Sequence, residues 1–333
     1  MSLPKVSGRL QDISPLVLGG ATFNTQYNDD PYSMHICDLL YTAFENGINA
    51  IDTSPYYGPS EELIGDALKK LLDSGKVSRD NYYICTKVGR IQLDEFDYSQ
   101  AWVKTSVYRS LKRLNTEYLD VVYLHDVEFV DDAGIFEALQ TLMQLKKQGL
   151  IRYVGISGYP VAFLHRIASE CVSKPGIGKL DLVLSYSNMC LQNTLLAQWY
   201  DKFMETGIQL LNNASILSMS LLRSQETRPF HPGSPKLKQA CSELAVALKE
   251  HHNTELAELA TRFAIREWLP KQGKTVIGVS NIDELHSALE QYKAVIEKTN
   301  DECDHKLVKL SQSFLGHHLN ETWDSGRYKA TLI

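Results

Sequence analysis

Short apolar runs rich in β-branched residues alternate along the chain with longer stretches whose apolar positions recur every three to four residues. The runs are PLVLGGA (15–21), INAID (48–52), YYICTKV (82–88), LDVVYLH (119–125), RYVGISG (152–158), LDLVLSYS (180–187), QLLNNAS (209–215) and TVIGVS (275–280). Each reads as a strand. The amphipathic stretches predict helices over 33–46, 60–72, 99–114, 134–147, 160–171, 194–205, 235–250 with 255–267, and 282–297. Strands that are apolar on both faces and separated by helices require a parallel sheet covered on both sides, and eight such units close into a (β/α)8 barrel. An open doubly wound sheet would carry GxGxxG after its first strand, where this chain reads LGGATFNTQYN. The expectation is therefore one α/β domain, a TIM barrel over 1–333. Its least regular stretch, RSQETRPFHPGSP at 223–235, reads as a mobile loop after the seventh strand.

Composition narrows the function. A formal charge of -6 without a basic run argues against nucleic acid or an anionic membrane surface and leaves a small molecule as the expected partner. No segment reads as a membrane span, and MSLPKVSGRLQDIS lacks the basic-then-apolar pattern of a secretory signal, so the expected location is cytoplasmic. Six scattered cysteines show neither CxxC spacing nor disulfide density, so they read as reduced thiols, and no metal site is expected. Oligomeric state is left open.

Four residues fall at or just past strand ends: Asp52 and Tyr57 in IDTSPYYG, Lys87 in YYICTKVG and His125 in LDVVYLHDVE. In a barrel such ends converge on the catalytic face. A tyrosine is a poor base at neutral pH, but a neighbouring ammonium favours the phenolate and a carboxylate holds the ammonium in place. A neutral imidazole can position the oxygen that reacts. Tyr57, Lys87, Asp52 and His125 thus suit proton transfer to or from an alcohol oxygen.

DTSPYYG, CTKVG and YLHDVE, with the succession of elements, resemble the aldo-keto reductases over nearly the whole chain. That resemblance implies a nicotinamide dinucleotide at the C-terminal face, Tyr57 as general acid or base tuned by Lys87 and Asp52, and His125 positioning the substrate. It also implies cofactor contacts from Gly20, Ser157, Gly158 in place of the family's asparagine, Ser185 as nearest match to its glutamine, and Ser215, Leu217 and Ser220 in NASILSMSLL. There serines replace the family's glycines. At the eighth strand, Gly278, Ser280, Asn281 and Glu284 stand where NADP-using members carry a lysine or arginine. With no cation there, Glu284 points to NAD, while Asn281 followed three residues later by Glu284 is also a helix-capping pattern.

Longer phrases, including IDTSPYYGPSE and NASILSMSLLRSQETRPFHP, resemble the sugar-oxidising branch of that family found in fungi and plants. The implied activity is NAD-dependent oxidation of a free aldose such as D-arabinose at C1 to its lactone, feeding D-erythroascorbate synthesis. Tyr56 and Asp126, each beside one of the four residues, are the expected substrate contacts. Alternatives are an L-galactose or L-fucose type of aldose dehydrogenase, an NADPH-dependent aldehyde reductase, and a slow dinucleotide-binding sensor.

Overall fold

The computed structural model describes residues 3–330. Eight parallel strands close in sequence order into a barrel: β1 Leu16–Gly19, β2 Ala50–Asp52, β3 Tyr83–Val88, β4 Leu119–His125, β5 Ile151–Gly158, β6 Leu182–Tyr186, β7 Leu210–Ala214 and β8 Thr275–Gly278. Around it run α1 Ile36–Glu45, α2 Ser60–Asp73, α3 Gln100–Arg113, α4 Asp132–Lys147, α5 Val161–Cys171, α6 Leu195–Gln198, α7 Tyr200–Glu205, α8 Pro235–His252, α9 Leu256–Trp268, α10 Ile282–Glu297 and α11 Asp301–Leu315. Several helices start where a side chain can satisfy the free amides of the first turn: Ser99, Asp131, Ser234 and Asn281 accept from Trp102, Gly134, Leu237 and Glu284.

Alternation along each strand divides the core in two. One parity, with Leu18, Ile51, Ile84, Val122, Ile156 and Val183, packs under the helices. The other, with Val17, Ala50, Cys85, Tyr123, Leu184 and Val276, fills the barrel, and Leu10 and Ile13 join it from the chain before β1. The sheet register carries the inward parity to the C-terminal rim, where its last residues are Gly19, Asp52, Lys87, His125, Ser157, Tyr186, Ala214 and Gly278. The rim is therefore asymmetric. Polar and aromatic groups stand on β2 to β6, and small residues on β7, β8 and β1 leave a recess.

Two features differ from the sequence expectation. The stretch 194–205 forms two short helices, α6 and α7, rather than one. α11 was not foreseen, because its buried face is interrupted by Asp304, whose carboxylate takes hydrogen bonds from Arg262 and Arg266 on α9 (2.7–2.9 Å). A buried carboxylate with two guanidinium partners reads in sequence as a surface residue. All six cysteines are free.

Candidate active site

The rim residues Asp52, Lys87 and His125 meet Tyr57, which the turn after β2 carries over the barrel. Lys87 Nζ donates to Asp52 Oδ1 (2.5 Å) and to the Thr53 carbonyl (3.0 Å), and lies 4.9 Å from the centre of the Tyr57 ring. The Tyr57 and His125 rings stand perpendicular, 5.8 Å apart. Burial opposes the charge on Lys87, but Asp52 and Tyr57 outweigh it and lift its pKa above the ordinary lysine range. The ammonium is permanent.

Tyr57 departs from the expectation drawn from sequence. Burial dominates and pushes its hydroxyl up to about 12, with Lys87 pulling downward against it and Asp52 and Asp126 adding to the rise. Tyr57 is a hydroxyl at neutral pH. Lys87 therefore limits a burial-driven rise and does not bring the pKa below its free value.

His125 is tied on both sides. Ser54 Oγ accepts from the Tyr56 amide (3.1 Å) and lies 3.1 Å from His125 Nδ1, so Nδ1 is engaged and Nε2 is the ring nitrogen left for a substrate. Burial, then the charges of Lys87 and Arg90, hold the imidazole well below its ordinary pKa. The ring is neutral, with Nε2 as its free nitrogen. Sequence reading passed over Ser54, though DTS places it two residues after Asp52.

Arg90 was also missed, three residues past Lys87 in TKVGR. It forms an ion pair with Asp126, and its guanidinium covers the Tyr56 ring at 4.0 Å. The expected substrate contacts Tyr56 and Asp126 thus share one cation.

The expected cofactor contacts divide. Ser157 faces inward on the rim beside His125. Ser185 needs correction: it has the helix-facing parity of Val183, and its Oγ accepts from Asn188 Nδ2 (3.0 Å), so the inward residue at the end of β6 is Tyr186. Gly158 has a packing reason instead. A side chain there would begin 2.3 Å from Glu128 Oε2, a buried carboxyl that accepts from the Tyr159 amide and the Ser325 hydroxyl. Gly20 likewise makes room for Ser60, whose hydroxyl donates to its carbonyl (2.9 Å).

Glu128 also anchors the segment after α11. Its carbonyl accepts from the Arg327 amide, and Trp323 stacks on Tyr159 at 4.4 Å, so residues 319–330 close one side of the site. No motif announced this contact.

The loop after β7 keeps a glycine-like backbone without glycine. Ser215, Ser218, Met219 and Ser220 all have positive φ, between 47 and 82°. Ser215 Oγ compensates in part by accepting from the Met219 amide (2.9 Å). Left-handed backbone costs a non-glycine residue about 1–2 kcal/mol. Ser218 also buries a hydroxyl that finds no hydrogen-bond partner among the described residues. Ser218→Gly is therefore expected to stabilise the fold by about 1 kcal/mol after glycine's entropy cost, read as a raised urea midpoint at unchanged slope.

Beyond that turn, Arg228 donates to the Tyr27 carbonyl (2.7 Å), and Tyr27 packs edge-on against Phe230 at 5.3 Å. The loops after β1 and β7 thus meet across the small-residue recess. Arg223 and Arg228 each bury an Nε–H that no described residue accepts. Unsatisfied cationic donors beside a recess of small residues fit the diphosphate of a dinucleotide. Glu284 caps α10 by accepting from the Ser280 amide (2.7 Å) while Asn281 accepts from the Glu284 amide, and its charge also acts on Arg223. The expectation of no cation near Glu284 thus holds for 278–284 but not in space, because Arg223 arrives from the loop after β7.

Residues 15–305 match the family model described as the aldo/keto reductase family. The chain belongs to that family. It is 50% identical over 322 residues, 95% of each chain, to D-arabinose 1-dehydrogenase of Saccharomyces cerevisiae. It is 31% identical over 325 residues, 97% of this chain and 94% of the other, to L-galactose dehydrogenase of Arabidopsis thaliana. Among solved structures, the holo form of an aldo-keto reductase from Bacillus halodurans superposes with a TM-score of 0.67 at 22% identity, covering 95% of this chain and 96% of that one, and shows the same fold. Family members work with NAD(H) or NADP(H). Among the described residues, no helix is long and apolar enough to cross a membrane, and no group of side chains suits a metal ion.

Proposed function

We propose that this aldo-keto reductase oxidises the C1 hydroxyl of a free aldose of the D-arabinose type to the aldonolactone, using NAD. The observation that carries the substrate is the 50% identity to the yeast D-arabinose 1-dehydrogenase, sustained over 95% of both chains. The cluster of Tyr57 with the buried Lys87, Asp52 and His125 supports the reaction type.

A bound nicotinamide dinucleotide supplies the acceptor for the hydride leaving C1. The chain's own residues handle the proton. His125 Nε2–H donates to the C1 oxygen and fixes it beside Tyr57 Oη, and Tyr57, as phenolate, takes the hydroxyl proton. Because burial sets the Tyr57 pKa at about 12, the phenolate fraction rises steadily with pH throughout the alkaline range below that value. Oxidation is expected to accelerate with pH accordingly, and reduction of the lactone to slow. Lys87, held in place by Asp52, keeps its ammonium next to the Tyr57 phenolate.

For the cofactor, Arg223 and Arg228 would hold the diphosphate through the Nε–H groups left unsatisfied, and Glu284 would face the ribose end. A carboxylate there accepts from free ribose hydroxyls and repels a 2′-phosphate. Replacing Glu284 by arginine is expected to move the NADP to NAD ratio of kcat/KM by about tenfold toward NADP, a repulsion removed and an attraction gained at a partly exposed site. Glu284→Gln, which keeps an acceptor for the Ser280 amide, separates charge from helix capping. An unchanged ratio in both variants would leave Glu284 as a cap only.

Initial rates with D-arabinose and L-galactose, each against NAD and NADP, test the proposal. Reduced NAD forming fastest with D-arabinose is the expected result. Turnover confined to aldehyde reduction with NADPH would replace it.

A further inference from the structure

The Arg90–Asp126 pair neither gives nor takes the reacting proton, although its charges act on Tyr57 and His125, and it stands beside the ring atom that meets the reacting oxygen. His125 Nδ1 is taken by Ser54, so Nε2 is the ring atom that faces the reacting oxygen, and Asp126 Oδ2 is 3.6 Å from that Nε2. The gap is too long for a hydrogen bond, which leaves Nε2 free for substrate and sets the carboxylate beside the reacting oxygen. Asp126 is 2% exposed, and its backbone is left-handed (φ 56°, ψ 60°). Strained, buried, charged residues cluster at ligand contacts.

The pair is built so that only one partner can read a ligand. Arg90 spends Nη1 on Asp126 and Nη2 on the Leu93 carbonyl (2.9 Å), with Nε turned to the Gln92 carbonyl (3.4 Å), and its face is covered by Tyr56. Asp126 meets both Arg90 and His125 through Oδ2, and no hydrogen bond among the described residues engages Oδ1. The free group is therefore a pure acceptor. A sugar places two oxygens within about one hydrogen-bond length of its C1 oxygen, the ring oxygen and the C2 hydroxyl. Only the C2 hydroxyl can donate to a carboxylate.

We propose that Asp126, clamped by Arg90, accepts a hydrogen bond from the aldose C2 hydroxyl and makes the enzyme selective for aldoses over their 2-deoxy counterparts, with Arg90 as the positioning residue. The assignment rests on the aldose reading above. It explains why the carboxylate is held by a cation that is itself closed to substrate. An acceptor left unmatched in a buried site costs more than a weak contact gains, so discrimination comes chiefly from rejection of the deoxy sugar.

D-Arabinose without its C2 hydroxyl is 2-deoxy-D-ribose, and this pair of substrates is the test. The parent enzyme is expected to favour D-arabinose in kcat/KM by a factor on the order of 100. Asp126→Ala removes the unmatched acceptor, so activity on 2-deoxy-D-ribose should rise relative to the parent while activity on D-arabinose falls, bringing the ratio near unity. Should that variant fail to fold, Asp126→Asn, which keeps shape but not charge, must still lower the ratio. Arg90→Met should lower the ratio through KM more than kcat, and Arg90→Lys, which can still pair with Oδ2, should restore it. Equal turnover of both sugars by the parent, or a ratio unmoved in the Asp126 variants, overturns the assignment alone. No turnover of either sugar overturns the aldose reading and this assignment with it.

Discussion

Tyr57→Phe is expected to bind NAD nearly as well as the parent and to lose about 10³-fold in kcat for D-arabinose oxidation. The substitution removes one oxygen and keeps the ring that stands against His125 at 5.8 Å and beneath which Lys87 sits. Packing and the recess over β7, β8 and β1 are untouched, so the loss falls on kcat. Cofactor binding by fluorescence titration and steady-state rates on the same preparation check both halves. A variant that retains a tenth or more of kcat would show that another group takes the proton. The steady rise of the oxidation rate with pH should disappear along with the phenol.

The second large effect is expected at Lys87, where activity and stability fall together. Lys87→Met leaves the buried Asp52 carboxylate without its cation, and one Asp52 oxygen already lacks a partner among the described residues. Breaking a buried pair from one side costs about 3–5 kcal/mol. The same change removes the charge that restrains the Tyr57 pKa, so the phenolate becomes scarcer at every pH. The double variant Lys87→Met with Asp52→Leu removes both charges. It should recover much of the lost thermal stability and none of the activity. Recovery of both would place the pair in a structural role only.

The barrel was legible in the chain because parallel strands buried on both faces leave continuous apolar runs, and all eight runs became strands. The cluster of four was legible for a related reason. Strand ends are marked by the change from apolar to polar residues, so Asp52, Lys87 and His125 stand out at three of them. What stayed hidden depends on contacts between distant segments. Arg90 and Asp126 lie 36 residues apart, and Glu128 meets Ser325 across 197. Ser185 and Tyr186 differ by one position, which reverses the face on which a side chain points, and only the register decides between them. The pKa of Tyr57 was misjudged from sequence because charge can be read from neighbours in a motif, whereas burial cannot. Serines stand where the family has glycines in the loop after β7, yet glycine-like geometry survives there, with the Ser215 side chain taking up a free amide.

The most direct measurement is to supply D-arabinose carrying deuterium at C1, with NAD, and to follow the label by mass spectrometry. The account predicts that deuterium passes to the reduced nicotinamide and that the sugar is recovered as unlabelled lactone, with both signals absent in Tyr57→Phe. Reduced nicotinamide without label, or label retained in the sugar product, would contradict oxidation at the C1 hydroxyl.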